Sequence, residues 1–291
     1  MHINYDDPIM WLDHRFNCDA EARNANIEKK FLEFFEDRDS LTVVDAGSGT
    51  GSNFQYYFEK FPNQQEWTFI DCEGPLLNAC REKLYRFAKK KNYEFIEQNG
   101  SVCIKDGAKQ ALVKMSQGKL ENVEHLTDLK QTDVVTANAL FDLLSYDQFD
   151  SFACKLSAYN VCLMATLNYY ETSFLPYDEE DGRFVRYFHT HMTRPQDFGS
   201  AMGPNCTEEM LDLLTEHQML VEQEGSQWHL KRYDTTMHHY LLHFFEHALR
   251  DLNLSPAEII DLEEWLEAKK KMSHDHKLEI IVDHSDIFAY P

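Results

Sequence analysis

Residues 43 to 53 read VVDAGSGTGSN. An apolar run ends in a carboxylate, Asp45, and glycines follow at alternate positions, Gly47, Gly49 and Gly51. Glycine enters left-handed backbone without a Cβ penalty and lets another group approach the main chain. The stretch therefore predicts a strand over 40–47, a tight turn, and a helix opening from that turn. Phe54, Tyr57, Phe58 and Phe61 recur at helical spacing, and Pro62 marks the end of that helix. In open α/β sheets such a turn lies where nucleotides bind, at the carboxyl end of a strand. A phosphate-binding loop needs G-x-x-x-x-G-K-[ST], and the lysine is absent. A dinucleotide fingerprint needs G-x-G-x-x-G, whereas the spacing here is G-x-G-x-G followed by Ser52.

The rest of the chain alternates between the two periods. Residues 19–37 predict one helix, with Asp19 as its cap and Ile27, Phe31, Phe34 and Phe35 on one face. WTFIDC (67–72) predicts a second strand and 75–91 a second helix. Residues 93–106 predict a hairpin turning at Asn99-Gly100. DVVTAN (133–138) and NVCLMATL (160–167) predict further strands, separated by a helix near 147–157. Beyond them come a helix over 207–217, a strand over 219–223, helices near 235–252 and 255–275, and a strand over 278–284. Alternation from 41 to 167 implies an α/β fold, a mostly parallel sheet with helices on both faces. With no linker rich in Gly, Pro or Ser and no repeat, residues 1–291 read as a single domain.

Composition narrows the partners. Fifty acidic side chains against 28 basic ones give a formal charge of -22, a field that repels phosphate backbones and anionic lipid. That argues against nucleic acid and membrane. No signal peptide is apparent and no apolar run approaches the ~20 residues of a membrane span. Seven scattered cysteines without a C-x-x-C argue for reduced thiols, hence a cytoplasmic setting.

The pattern D-x-G-x-G-x-G resembles the first motif of class I S-adenosylmethionine-dependent methyltransferases. The resemblance implies a Rossmann-like fold: a seven-stranded, mostly parallel sheet with N-terminal helices and the small inserted hairpin. It implies S-adenosylmethionine as cofactor. Asp45 would hold its amino-acid part, with Gly47, Ser48, Gly49 and Gly51 wrapped around it. Asp71, 24 residues after Gly47, would take the ribose hydroxyls with Cys72 beside it. An acid in that place is shared with nicotinamide enzymes. Asp128 and Leu129, after a third strand, would face the adenine, and Asn138 would lie where methyl group and acceptor meet.

A longer resemblance rests on WLDHRFNCDAEAR (11–23), the glycine turn, TANALFDLLS (136–145), HTHMTRPQDFGSAMGP (189–204) and VDHSDIFAYP (282–291). These occur in the same order in a bacterial group of predicted class I methyltransferases with unknown substrate. The chain departs from that group in Arg194-Pro195-Gln196-Asp197, where the group is more basic, and in the hairpin. The resemblance implies an N-terminal helical lid (1–38), a cofactor-binding half (39–167) and an acceptor and C-terminal half (168–291). It implies methyl transfer to a small-molecule acceptor by in-line displacement, with positioning as the main catalytic device.

The acceptor half holds the candidate catalytic and substrate residues. In a helix over 179–191, Phe184, Tyr187, Phe188 and His191 share a face while His189 turns away. His191 is then the candidate base, against the plainer reading of a packed histidine. Tyr169 is a second catalytic candidate. Asn168, Tyr170, Asp197, Phe198 and Arg15 are candidate substrate ligands. For Arg15 and Arg23 the alternative is a surface ion pair, and for Asp142 a helix cap. His239, His243 and His247 form a stripe opposite Leu241, Phe244, Phe245, Ala248 and Leu252; the stripe is expected to face solvent, and no metal is expected. A nicotinamide-dependent oxidoreductase and a non-catalytic S-adenosylmethionine-binding protein stay open as alternatives.

Overall fold

The computed structural model describes residues 3–196 and 199–291. In chain order the elements are α1 (Pro8–Ala22), α2 (Ala25–Phe34), β1 (Ser40–Ala46), α3 (Ser52–Tyr57), β2 (Gln64–Asp71), α4 (Gly74–Lys91), β3 (Glu94–Gln98), β4 (Ser101–Asp106), β5 (Lys109–Gln117) and α5 (Val123–Leu126). They continue with β6 (Val134–Asn138), α6 (Tyr146–Tyr159), β7 (Cys162–Leu175), α7 (Asp181–Met192), β8 (Pro195–Gln196), β9 (Gly199–Ser200), α8 (Cys206–Glu216), β10 (Leu220–Leu230), α9 (Thr235–Arg250), α10 (Pro256–His274) and β11 (Glu279–Tyr290).

The main sheet has nine strands in the order β10-β11-β7-β6-β1-β2-β5-β4-β3. The five strands β7, β6, β1, β2 and β5 run parallel, and β11 and β10 return antiparallel beyond β7. Seven strands from β10 to β5 match the expected count. The hairpin β3–β4 pairs with β5 and so lengthens the same sheet instead of standing apart from it. Its turn forms at Asn99 and Gly100, both with positive φ, as a two-residue hairpin demands.

Two expectations about elements change. Residues 19–37 are not one helix. The chain breaks at Arg23-Asn24, because the Asn24 side chain accepts from Asn26 N (2.9 Å) and opens a new helix, α2. Asp19 therefore lies inside α1, whose cap is Asp7. The third parallel strand is β5. Its buried residues, Ala111 and Val113, alternate with Gln110, Leu112 and Lys114, and it ends at Gln117, well before Asp128.

Each face of the sheet has its own core. On one, α2, α3 and α4 pack Phe31, Tyr57 and Leu84 against Trp67 and Phe69. On the other, α6 and α8 pack Phe149, Leu156 and Leu213 against Val44 and Leu163. A third cluster joins α7, α9 and α10 over the far ends of β7 and β11, through Phe184, Phe245, Trp265 and Ile280. It overhangs the carboxyl edge of the parallel strands and so creates room for a cavity there.

A buried aspartate fastens that edge. Asp286 accepts from Leu167 N (2.8 Å) at a bulge in β7, from Ser226 Oγ (2.7 Å) in β10 and from Asn24 N (2.8 Å) at the start of α2. Asp286→Ala leaves these donors buried without an acceptor. We expect it to lower the unfolding free energy by about 2–4 kcal/mol, read as a shift of the urea midpoint; a change within experimental scatter would contradict this role.

Candidate functional site

The glycine turn forms the floor of a cavity of about 470 Å³. Gly47 (φ 62°) and Gly49 (φ 53°) are both left-handed. A Cβ on Gly47 would lie 2.8 Å from Leu140 Cδ1, and one on Gly49 would lie 3.1 Å from Leu12 Cδ1 in α1. The cradle is thus closed above by the N-terminal helix. Asp71 stands at the end of β2 with its carboxylate fixed by main chain: Oδ2 accepts from Gly49 N (2.8 Å) and Oδ1 from Glu73 N (2.9 Å). Ser48 and Cys72 also line this cavity. Ser48 Oγ is buried without a hydrogen-bond partner, and burial together with Asp71 raises the Cys72 thiol above its ordinary pKa. Asn138 lines the cavity and is fully engaged, donating to Asp19 Oδ2 (2.9 Å) and accepting from Thr166 Oγ1 (2.9 Å).

Asp45 lies behind this wall, not on it. Its Oδ1 accepts from Asn53 Nδ2 (2.8 Å) and Thr136 Oγ1 (2.9 Å), and Asn53 faces the cavity in its place. Burial pushes the Asp45 carboxyl up to about 7 against the pull of those two bonds. Gly51 also serves the turn instead of lining it; a Cβ there would meet Cys80 Sγ at 2.9 Å.

Asp128 and Leu129 are misplaced by the sequence reading. Because β5 ends at Gln117, the segment that reaches the cavity is Gly118-Lys119-Leu120-Glu121. Asp128 caps a short turn through Lys130 N (3.1 Å) and borders a separate depression, and Leu129 is buried in the core.

A second cavity of about 620 Å³ lies beneath α9 and α7. The two cavities share Trp11 and Arg15 of α1, with Ala139 and Leu143 from the loop after β6. Arg15 sits at this junction with Nε donating to both Asp19 oxygens (3.1 and 2.9 Å), and its guanidinium lies 5.3 and 5.0 Å from the ring centres of Trp11 and Trp228. Arg23, by contrast, is an interior residue bonded to Asn53 Oδ1 (2.6 Å) and Tyr57 OH (3.1 Å).

The larger cavity is aromatic, with a few buried polar atoms. His191 lines it, 3.4 Å from Asp251 Oδ2, and burial followed by Arg194 lowers its pKa, so it stands ready as a neutral acceptor. Tyr169 also lines it, but its hydroxyl contacts Thr172 Oγ1 (3.1 Å) and His189 Nε2 (3.0 Å). Burial holds the phenol well above its usual range, which suits a fixed donor and not a base. As expected, His189 does not line the cavity, and its Nε2 meets the Tyr169 hydroxyl from behind the wall. Asn168 is fully buried and donates to Ser285 O (2.9 Å), lining neither cavity. Tyr170 is exposed on the other side of the strand, because alternation that aims Tyr169 inward aims its neighbour out. Asp197 and Phe198 lie outside the described residues.

The sequence left Asp142 open and passed over Trp11, Trp228 and His284. All four line this cavity. Asp142 Oδ1, Trp228 Nε1 and His284 Nδ1 are buried without partners. Burial raises Asp142 to about 6, and burial with the Arg15 charge lowers His284 to about 3. For His284 the available signal was the D-H-S-D alternation, which puts polar residues on an otherwise apolar strand.

The histidine stripe is not open to solvent throughout. The Tyr5 and His243 ring centres are 5.8 Å apart, and His243 Nε2 lies 2.8 Å from Asp6 Oδ1. Asp6, His243 and His247 bring possible ligand atoms within 4.8 Å of one another. Leu241, Phe244, Phe245 and Ala248 of the expected apolar face line the large cavity, and so does His247 of the stripe, whereas Leu252 does not.

No family model matches the chain, and no curated protein matches it. Solved structures do. YcgJ from Bacillus subtilis superposes with a TM-score of 0.50 at 13% identity, covering 92% of this chain and 98% of that one. The fold is therefore shared with that protein. A phosphoethanolamine N-methyltransferase 2 from Haemonchus contortus aligns with a TM-score of 0.45 at 11% identity, over 99% of this chain and 60% of that one. An arsenic(III) S-adenosylmethionine methyltransferase from Chlamydomonas reinhardtii aligns with a TM-score of 0.43 at 12% identity, over 94% and 72%. No helix among the described residues is long and apolar enough to cross a membrane.

His284 supplies a pH test. Its folded pKa of about 3 lies below its ordinary value of 6.5, so the unfolded chain binds the extra proton. Its contribution to stability is complete above 6.5 and is lost as the pH falls toward 3. At pH 5 the loss should be about 2 kcal/mol relative to neutral pH. His284→Gln should flatten the urea midpoint against pH in this window; an unchanged slope would refute the buried neutral imidazole.

Proposed function

We propose that the chain is an S-adenosylmethionine-dependent methyltransferase acting on a small-molecule acceptor, in the cytoplasm of a bacterium. One observation carries the reading: a glycine-cradled cavity with an anchored acid at the end of β2 adjoins an aromatic cavity, the two sharing Trp11, Arg15, Ala139 and Leu143. The smaller cavity fits this cofactor. Of its charged lining residues, Asp71 and Glu121 face Lys119 and Arg15, and Asp19 already matches Arg15. That balance favours a cationic ligand over a dinucleotide diphosphate. Ser48 Oγ lacks a partner, and Gly47 and Gly49 leave space that a side chain would fill.

The cofactor would supply a methyl group on a sulfonium, whose leaving group is a neutral thioether. Gly47, Ser48, Gly49 and Asn53 would hold its amino-acid part, Asp71 its ribose, and Gly118 to Leu120 its far end. Trp11 and Leu12 close the cradle and exclude water. Arg15 and Asn138, tied through Asp19, fix the passage between the cavities. His191 is our candidate to take a proton from the acceptor, and Tyr169 a donor that positions it.

Calorimetric titration tests the reading. S-adenosylmethionine and S-adenosylhomocysteine should bind with micromolar affinity, NADH should not, and Asp71→Ala should weaken both by about tenfold or more, the worth of one or two hydrogen bonds to a charged group. Binding of NADH alone would favour the oxidoreductase. With an acceptor in hand, His191→Ala should lower kcat by about 100-fold and remove the acid limb of the pH–rate profile; an unaltered profile would exclude His191 as the base.

A further inference from the structure

Asp142 is 8% exposed, lines the larger cavity, and has a buried Oδ1 with no hydrogen-bond partner. A carboxylate held this way lacks what a buried anion needs, a donor or an opposite charge. Among the described residues no donor reaches Oδ1, and the carboxyl is steadied only by a backbone hydrogen bond at Asp142 itself and by the Arg15 charge. Arg15 is the nearby cation, and its Nε is committed to both oxygens of Asp19. At the cavity rim, Asp251 is met by Arg194 (3.2 Å) and His191 (3.4 Å). His284 is held neutral, and Tyr169 keeps its proton. Asp142 is thus a carboxyl in the cavity wall whose Oδ1 the described residues leave without a donor.

The surrounding walls add a second constraint. Trp11, Phe188, Trp228, Phe244 and Phe245 present aromatic surface to the same space. Aromatic faces attract cations and pack flat apolar groups, and they repel the desolvated anion that a carboxylic or phosphoric acid would bring beside Asp142.

We propose that this cavity takes a protonated amine carried on a flat apolar body, with Asp142 receiving the ammonium group. The proposal rests on the reading of this cavity as the acceptor site and names the class of acceptor, an aryl-alkyl amine. In the pair, the ammonium N–H donates to the carboxylate, and a proton that leaves the nitrogen passes to a carboxylate or imidazole already in the wall. The burial that raises Asp142 to about 6 equips it for that exchange.

Binding can be measured without turnover. The full chain is titrated by calorimetry at neutral pH with 2-phenylethylamine, 2-phenylethanol and 3-phenylpropanoate, which share a phenylethyl body and differ in charge. The amine should bind about tenfold or more tightly than the alcohol, as expected of a charge-assisted pair, and the carboxylate should not bind. Asp142→Asn should abolish the preference for the amine while leaving the alcohol and S-adenosylhomocysteine unaffected. Equal binding of amine and carboxylate, no amine binding at millimolar concentration, or a preference that survives in Asp142→Asn would each overturn the proposal. If Asp142→Asn does not fold, the ranking of the three probes on the unaltered protein decides alone. Failure of S-adenosylhomocysteine to bind, with amine selectivity intact, would instead strike the methyltransferase reading and leave the cavity's ligand class standing.

Discussion

Asp45 is a fully buried carboxyl group near the end of the first strand, and its needs dictate how several distant pieces of chain come together. Its Oδ1 draws in Thr136 from β6 and Asn53 from α3. Asn53 in turn accepts from Arg23, whose guanidinium also bonds Tyr57 OH and stacks over Tyr56 at 4.2 Å. A single buried anion thereby couples the central parallel pair, the turn above it and the joint between the two N-terminal helices. Arginine suits this place because its planar fork bridges several acceptors and its charge balances the aspartate through the asparagine. The glycine turn holds its shape partly because this bonded layer lies under it.

The sheet was readable where burial is two-sided. Strands β1, β6 and the start of β7 are continuous apolar runs, and each was placed within a few residues. β5 was missed because one of its faces carries glutamine and lysine, which erases the apolar run and leaves only a weak alternation. That miss propagated: with the third strand unplaced, the far wall of the smaller cavity was assigned to Asp128 and Leu129 instead of the Gly118 segment. The N-terminal break was missed for a different reason. Asn24 acts through a local side-chain bond to the backbone, which no hydrophobic periodicity reports.

The site divides the same way. The residues around the glycine turn are close in sequence, so their meeting follows from one strand–turn–helix. The larger cavity collects α1, the loop after β6, β7, α7, α9, β10 and β11, and no local pattern announces that gathering. His191 could be found because it shares a helical face with phenylalanines. Asp142 carried no such signal; what sets it apart is an Oδ1 without a partner among the described residues, which is visible only when its neighbours are in place. Asn168 went astray at the bulge at Leu167, where φ turns to 56° and the simple in–out alternation is reset, and Tyr170 because its neighbour Tyr169 takes the inward position.

Helix α1 is a wall common to both cavities, with Trp11 and Arg15 facing each side and Leu12 over Gly49. Because these residues serve both chambers, the shape and charge of each depend on where α1 lies. Any adjustment of α1 made to receive one ligand alters the space and the field offered to the other, and linkage requires the effect to be equal in both directions. A ligand that moved α1 from one chamber would thus change the other chamber as well, with Trp11 and Arg15 carrying the effect across.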